Sequence, residues 1–173
     1  MDEKISINFS LVDKPFVFRC HELNSWPCFG WTLEEWSERC SQTKFKFRVH
    51  RRSSQKFWEN EAIDRFETQL KHYIQWTQLD AMSCDSDNPL RKYPKSDFWV
   101  YSSYNYMSKM FVHNKQIMES VKWSQLGIDS KLDTDATNST IWIGSEGAFT
   151  PCHQDSYGYN FVAQISGKYI NSE

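Results

Sequence analysis

The stretch from Ile141 to Asp155 constrains the fold of this chain more than any other part of it. It begins with an apolar run that predicts a buried strand, turns at Gly144 and ends in the pair His153-x-Asp155. In an extended backbone, side chains two residues apart point to the same side. We therefore predict a strand that leads into two side chains directed at one metal ion.

An imidazole and a carboxylate suit Fe(II), Mn(II) or Zn(II), and two histidines plus one carboxylate form the site of non-haem iron oxygenases. Taken alone, His153-x-Asp155 is a common pair that a surface loop also explains. Its neighbours favour a site, because Gly147 allows a tight turn and Pro151 stiffens the approach. Thr150 adds a hydroxyl beside the predicted metal position.

Composition narrows the class of protein. The 173 residues suit one domain, and an aromatic content of 16% predicts a packed core. The net charge of −2 argues against binding of nucleic acid through bulk electrostatics. Neither a signal peptide nor a membrane-length apolar run is visible, so no membrane partner is expected. Five cysteines without a Cys-x-x-Cys pair predict reduced thiols, and hence a cytoplasmic or nuclear protein.

Helical signals dominate the first part of the chain. Thr32 and Glu35 form a capping-box pattern that predicts a helix over about 32–41. The apolar residues Ile63, Phe66, Leu70 and Tyr73 recur at helical spacing and predict a second helix over about 56–77. His72 is expected at a solvated or edge position of that helix. A third helical segment is predicted at about 115–125.

Strand signals gather later, apart from an alternating strand around Phe45, Phe47 and Val49. Further strands are predicted at 98–101, at 140–143, which we expect to be buried, and at 160–165. Polar loops are expected at 80–97 and 127–138. The pattern predicts an α+β protein, mainly β, with an N-terminal helical extension.

The residues Trp142-Ile143-Gly144, Gly147, Thr150-Pro151, His153-x-Asp155, Asn160, Gln164 and Gly167 follow one another at a specific spacing. This stretch resembles the first metal-binding strand region of the JmjC (cupin-type) oxygenases, which use Fe(II), 2-oxoglutarate and O2. Its segment from 150 to 158 is most similar to a branch of that family associated with a small heat-shock protein. A looser likeness extends back to about residue 14.

The resemblance implies a double-stranded β-helix, or jelly roll, of which this chain would hold only the first strands. It divides the chain into a helix-rich part at 1–97, the first core strands at 98–167 and a divergent tail at 168–173. His153 and Asp155 would bind iron, whereas Thr150, Tyr101 and Asn160 would contact 2-oxoglutarate. A core tyrosine at a strand end is the alternative explanation for Tyr101.

The likeness breaks after Gly167. The family continues Gly-x-Lys-x-Trp, and that lysine pairs with the distal carboxylate of 2-oxoglutarate. Here Tyr169 takes its place, and Lys168 is one residue away, on the other face of a strand. No histidine follows Asp155. We therefore expect a truncated form without the second histidine, from an alternative transcript end, an unspliced intron or a fragmentary gene model.

Two functions follow from these observations. The resemblance implies an Fe(II)/2-oxoglutarate-dependent dioxygenase, a protein hydroxylase or demethylase, although this chain lacks two residues that such catalysis needs. The alternative is a non-catalytic interaction protein or truncated isoform. It would bind a small heat-shock protein or another partner through its aromatic helical region. The sequence leaves open whether the chain is an enzyme.

Overall fold

The computed structural model describes residues 14, 17, 21–53, 61–126, 135–151, 153, 155–156 and 160–168. The chain divides into two compact units, each built from two segments. Unit 1 comprises 1–43 and 104–141, and unit 2 comprises 44–103 and 142–173. The domain boundaries predicted at 97/98 and 167/168 stay predictions.

The described elements follow one another in a mixed order. They are the 3-10 turns His21–Ser25 and Pro27–Phe29, helix α1 (Leu33–Arg39), strands β1 (Lys44–Arg51) and β2 (Asp64–Gln69), helix α2 (Leu70–Gln78), the 3-10 turns Ala81–Ser83 and Pro89–Lys92, strand β3 (Phe98–Tyr106), helices α3 (Met107–Met110) and α4 (Lys115–Met118), the 3-10 turn Trp123–Leu126, and strand β4 (Thr140–Gly144). Helices beside a four-stranded antiparallel sheet confirm the α+β class.

Helix α1 begins as its sequence predicts. The Glu35 backbone N–H donates to the Thr32 hydroxyl at 3.1 Å, and the Thr32 N–H donates to the Glu35 carboxylate at 2.8 Å. This capping box satisfies two of the amide groups that a helix start leaves without partners. Trp36 and Cys40 then face the core of unit 1, while Leu33 stays 40% exposed.

Aromatic and sulfur-containing side chains form the core of unit 1. Trp26 is buried and lies edge-on to Trp123, with ring centroids 4.9 Å apart. Residues distant in sequence close this unit, since the Asn114 amide donates to the Arg39 carbonyl at 2.9 Å. Trp26 and Trp36 therefore serve as core residues.

The sheet has the strand order β2-β1-β3-β4. Strand β1 pairs antiparallel with both β2 and β3, so that Arg48 lies opposite Arg65 on one side and Tyr101 on the other. Phe45, Phe47 and Val49 alternate with polar residues and are buried, which confirms the predicted strand. The Phe47 ring stacks on Tyr73 of α2 at a centroid distance of 5.3 Å.

The opposite side of the sheet, called here the polar face, carries mostly polar and aromatic side chains. It consists of Lys44, Lys46, Arg48 and His50 of β1, Arg65, Glu67 and Gln69 of β2, Trp99, Tyr101 and Ser103 of β3, and Trp142 and Gly144 of β4. His50 and Trp99 stack in parallel at one end, with ring centroids 4.1 Å apart.

The helix predicted at about 56–77 is wrong for 64–69, where the chain forms strand β2, and α2 begins only at Leu70. Phe66 and Thr68 point to the buried side, whereas Arg65 and Glu67 are exposed. This period of two fits the segment as well as a helical period does. Pairing with β1 decides the outcome, because Phe66 lies opposite Phe47. Residues 56–60 of the predicted helix lie outside the described residues.

Two other strand predictions need correction. None of residues 160–165 belongs to a strand, because a strand requires a hydrogen-bonded neighbour and this segment pairs with no strand among the described residues. Strand β4 exists as predicted but is not buried, since it lies at one end of the strand order and Trp142 is 44% exposed. The predicted helix at 115–125 is present as the short α4 and the turn Trp123–Leu126.

The side chain of His72 is buried, which corrects the expected solvated position. Because α2 starts directly after β2, the imidazole Nδ1 lies 2.5 Å from the Thr68 hydroxyl. Nε2 lies 3.7 Å from the Asp87 carboxylate. Burial lowers the pKa of the imidazole below its usual 6.5, and Lys71 adds to the lowering, whereas Asp87 and Asp85 oppose it.

Stability is expected to fall in acid through His72. The folded pKa lies below the unfolded value, so the unfolded chain takes up the proton first. Proton uptake therefore stabilises the unfolded chain relative to the folded one as the pH drops below about 6.5. The contribution is complete above that pH and is lost on the way down to the folded pKa. Urea unfolding of wild type and His72→Gln at pH 7.5, 6.5 and 5.5 measures it. Equal pH dependence in both proteins contradicts this role.

Three described cysteines, Cys28, Cys40 and Cys84, are free and buried. Burial raises the pKa of the Cys40 thiol to about 12 and also raises those of Cys28 and Cys84. Cys20 and Cys152 lie outside the described residues. Within the described ranges, every helix is too short or too polar to cross a membrane.

Candidate metal and carboxylate site

The two predicted metal ligands face each other in the structure. His153 Nε2 lies 3.6 Å from Asp155 Oδ1, and their side chains are 51% and 33% exposed. A divalent ion binds each such atom at about 2.0–2.2 Å, so one ion can contact two donors separated by up to about 4.2 Å. The observed separation therefore allows both side chains to bind the same ion.

A second layer of contacts orients both ligands. His153 Nδ1 lies 2.8 Å from the Pro151 carbonyl, which can only accept, so this nitrogen carries the proton. In the neutral imidazole, Nε2 is then the nitrogen whose lone pair is available to a metal ion. The Asn160 amide donates to the other carboxylate oxygen, Asp155 Oδ2. Such contacts on the remote atoms of the ligands are typical of metal-binding histidines and carboxylates.

These residues are two candidate ligands for one metal ion. In the parts of the chain that the structure describes, no group of three or more His, Cys, Asp and Glu side chains is arranged to hold a metal ion. His50, a described histidine on the polar face, is buried against Trp99. The donor set at His153 and Asp155 thus fits a hard or borderline divalent cation, to which the described residues offer two donor atoms.

The loop after β4 is fixed to the sheet by several hydrogen bonds. Ser145 N–H donates to the Val100 carbonyl at 3.0 Å, and the Val100 N–H donates back to the Ser145 hydroxyl at 2.9 Å. Arg52 donates to the Glu146 carbonyl at 2.8 Å. Gly147 has φ +78, and a Cβ there would lie 2.5 Å from the Arg52 guanidinium, so this turn requires glycine.

This loop brings Thr150 beside Tyr101, two residues predicted to contact a cosubstrate. The Thr150 hydroxyl donates to the Tyr101 hydroxyl at 3.4 Å. The Tyr101 ring is half-buried between Trp99 and Trp142, at centroid distances of 6.5 and 5.9 Å. Asn160, predicted to line the same pocket, instead contacts Asp155. The five predicted residues thus form two contacting groups in unit 2, Thr150 with Tyr101 and His153 with Asp155 and Asn160.

Sequence reasoning missed Arg48, whose guanidinium carbon lies 5.9 Å from the centroid of the Tyr101 ring. Arg48 also donates to the Ser103 hydroxyl. In the sequence, its alternation with buried residues indicated only an exposed strand position. The β1–β3 register that brings it to Tyr101 depends on pairing between residues more than 50 positions apart, so no local signal reveals it.

The chain is similar to several curated proteins. It is 34% identical over 160 residues to the HSPB1-associated protein 1 homolog of Danio rerio, a match that covers 91% of this chain and 34% of that protein. It is 33% identical over 162 residues to HSPB1-associated protein 1 of Rattus norvegicus and 32% identical over 161 residues to that of Homo sapiens. Those matches cover 91% of this chain and 32% and 31% of the relatives.

No protein-family model matches the chain, and no solved structure matches it. The chain spans about a third of the length of the curated relatives it matches. Along nine-tenths of its own length, the chain is therefore similar to one part of the HSPB1-associated proteins.

Proposed function

We propose that this chain is a partner-binding protein whose partner is a small heat-shock protein. The observation that carries the proposal is its similarity, over 91% of its residues, to proteins named for their association with HSPB1. Because the chain corresponds to about a third of the length of those proteins, we place the binding surface in the part of them that this chain matches.

Exposed apolar side chains in unit 1 support such a surface. Val112 is 61% exposed, Tyr104 is 50% exposed and Tyr106 is 45% exposed. Tyrosines and aliphatic residues left on a surface are typical of protein interfaces, where burial of apolar area stabilises the complex. Lys109 lies over the Tyr106 ring at 5.0 Å, which adds a cation beside the apolar residues.

Calorimetry with purified HSPB1 tests the proposal. The wild-type chain is expected to bind, and Val112→Asp is expected to weaken binding about tenfold, because a charge brought into an apolar contact must be desolvated. Met82→Asp, at a position of unit 2 that is 70% exposed, is the matched control and is expected to bind like the wild type. Absence of binding by the wild type contradicts the proposal.

A second candidate function is favoured by the geometry at His153 and Asp155. We infer that the full protein to which this segment corresponds is an oxygenase of the jelly-roll JmjC type, and that this chain contributes two of its iron ligands. The support is the 3.6 Å approach of the two donor atoms together with the Pro151 and Asn160 contacts that orient them. When bound, Fe(II) and 2-oxoglutarate supply the oxidising chemistry. Uptake of Mn(II) by the metal-free chain tests this candidate.

A further inference from the structure

The imidazole of His72 has one nitrogen with a hydrogen-bond partner and one without. Nδ1 lies 2.5 Å from the Thr68 hydroxyl, whereas Nε2 is buried and has no hydrogen-bond partner among the described residues. The side chain as a whole is only 10% exposed. A buried nitrogen without a partner costs free energy, so a group that satisfies Nε2 would stabilise this part of unit 2.

The Asp87 carboxylate faces this nitrogen. Asp87 Oδ2 lies 3.7 Å from His72 Nε2, which is too far for a hydrogen bond. A divalent ion binds an imidazole nitrogen or a carboxylate oxygen at about 2.0–2.2 Å, so one ion fits between the two atoms with an angle of about 120°. The Asp87 side chain is 71% exposed, so an ion from solvent can reach the pair on its side.

The loop that carries Asp87 is fixed to α2 by hydrogen bonds. The buried Asn88 amide donates to the His72 carbonyl and to the Gln75 side-chain oxygen, both at 2.9 Å. The Asp85 backbone N–H donates to the same Gln75 oxygen at 3.2 Å. The position of Asp87 opposite His72 is therefore set by its neighbours before any ion binds, which lowers the entropic cost of binding.

The charges and contacts around His72 favour a cation. The carboxylates of Asp85 and Asp87 both act on the imidazole through their charge, and Lys71 acts in the opposite sense. The Thr68 hydroxyl can accept a hydrogen bond from Nδ1–H. That bond would leave the lone pair of Nε2 available and would orient the ring, as hydrogen bonds to the remote nitrogen do in metal-binding histidines.

We propose that His72 Nε2 and the Asp87 carboxylate bind one zinc(II) ion, which ties the loop at 85–88 to helix α2. An imidazole and a carboxylate together suit this borderline ion. Among the described residues no third His, Cys, Asp or Glu side chain completes a metal-binding group, so water fills the remaining positions and we expect micromolar affinity. The proposed site shares no residue with the pair His153 and Asp155, and it depends on neither candidate function.

Calorimetric titration with zinc chloride tests the proposal. The full chain carries His153→Ala, which removes the imidazole of the other candidate site, and is expected to bind zinc. Adding Asp87→Asn is expected to weaken binding at least about tenfold, because it removes the charged donor and keeps the size of the side chain. Asp80→Asn, at an exposed aspartate that begins the same polar segment, is the matched control and is expected to have no effect.

Nuclear magnetic resonance of the chain labelled with ¹⁵N-histidine identifies the ligand atom. Zinc is expected to shift the Nε2 signal of His72 while Nδ1 keeps its proton. His72→Gln assigns the signal, and assignment through the backbone replaces it if that variant does not fold. A His72 signal that zinc does not move overturns the proposal. So does the absence of zinc binding, unchanged affinity in Asp87→Asn, or an equal loss in Asp80→Asn.

Thermal unfolding tests whether the ion holds the loop on α2. Excess zinc is expected to raise the melting temperature of the parent chain but not that of Asp87→Asn, because an ion stabilises only the state that binds it. An equal rise in both contradicts the proposal. Mn(II) uptake at His153 is measured separately, so either metal site can fail while the other stands.

Discussion

Replacement of Phe47 by alanine is expected to lower the free energy of unfolding by about 3–5 kcal/mol. Phe47 is fully buried in unit 2, stacks on Tyr73 and lies against Phe45 and Phe66 at centroid distances of 6.5 Å. Truncation removes the burial of the ring and leaves a cavity that β1 and α2 cannot close without moving. Urea unfolding followed by circular dichroism measures the change.

Phe149→Ala is the matched control for this prediction. It makes the same truncation in unit 2 at a position that is 41% exposed, so we expect a loss of less than about 1 kcal/mol. Similar losses at the two positions would mean that the sheet and α2 do not pack as described.

Replacement of His153 by alanine is expected to lower the affinity of the chain for Mn(II) at least about tenfold. With two protein ligands in place, loss of the imidazole leaves a single carboxylate, which binds a divalent cation little better than any exposed aspartate. Asn160→Ala is expected to have a smaller effect, because the Asn160 amide orients Asp155 without itself facing the ion. Titration of the metal-free chain with Mn(II), followed by electron paramagnetic resonance, measures free and bound ion.

His113→Ala is the control for this experiment, since His113 is an exposed histidine of unit 1. Equal Mn(II) affinity of wild type and His153→Ala, or equal losses in His153→Ala and His113→Ala, would exclude the metal site. Because the readout is binding, the result does not depend on whether the chain turns over a substrate.

The parts of the fold that depend on neighbouring residues could be predicted from the sequence. The capping box at Thr32 and Glu35 and the alternation of Phe45, Phe47 and Val49 are both local, and both are present. Strand β2 could not be predicted, because Phe66 and Leu70 fit a helical and a strand period equally well. The choice depends on β1, whose Phe47 lies opposite Phe66.

The same distinction applies to the candidate site. His153 and Asp155 could be proposed as a pair from their spacing of two along the chain, and they lie 3.6 Å apart. The contact between Thr150 and Tyr101 was expected only from the family resemblance, and it depends on the loop that Arg52 and Ser145 attach to unit 2. The position of Arg48 depends on strand register alone, so a single sequence contains no sign of it.

The division of each unit between two distant segments has a consequence for how the protein folds as it is made. Trp26 and Arg39 find their partners Trp123 and Asn114 only after about a hundred and about seventy-five further residues have left the ribosome. Unit 2 likewise requires its second segment, which begins at Trp142 in β4. Neither unit can fold completely before synthesis of the other has begun, as two domains that are continuous in sequence could. The early aromatic segments therefore stay without their native partners until the later segments have been synthesised.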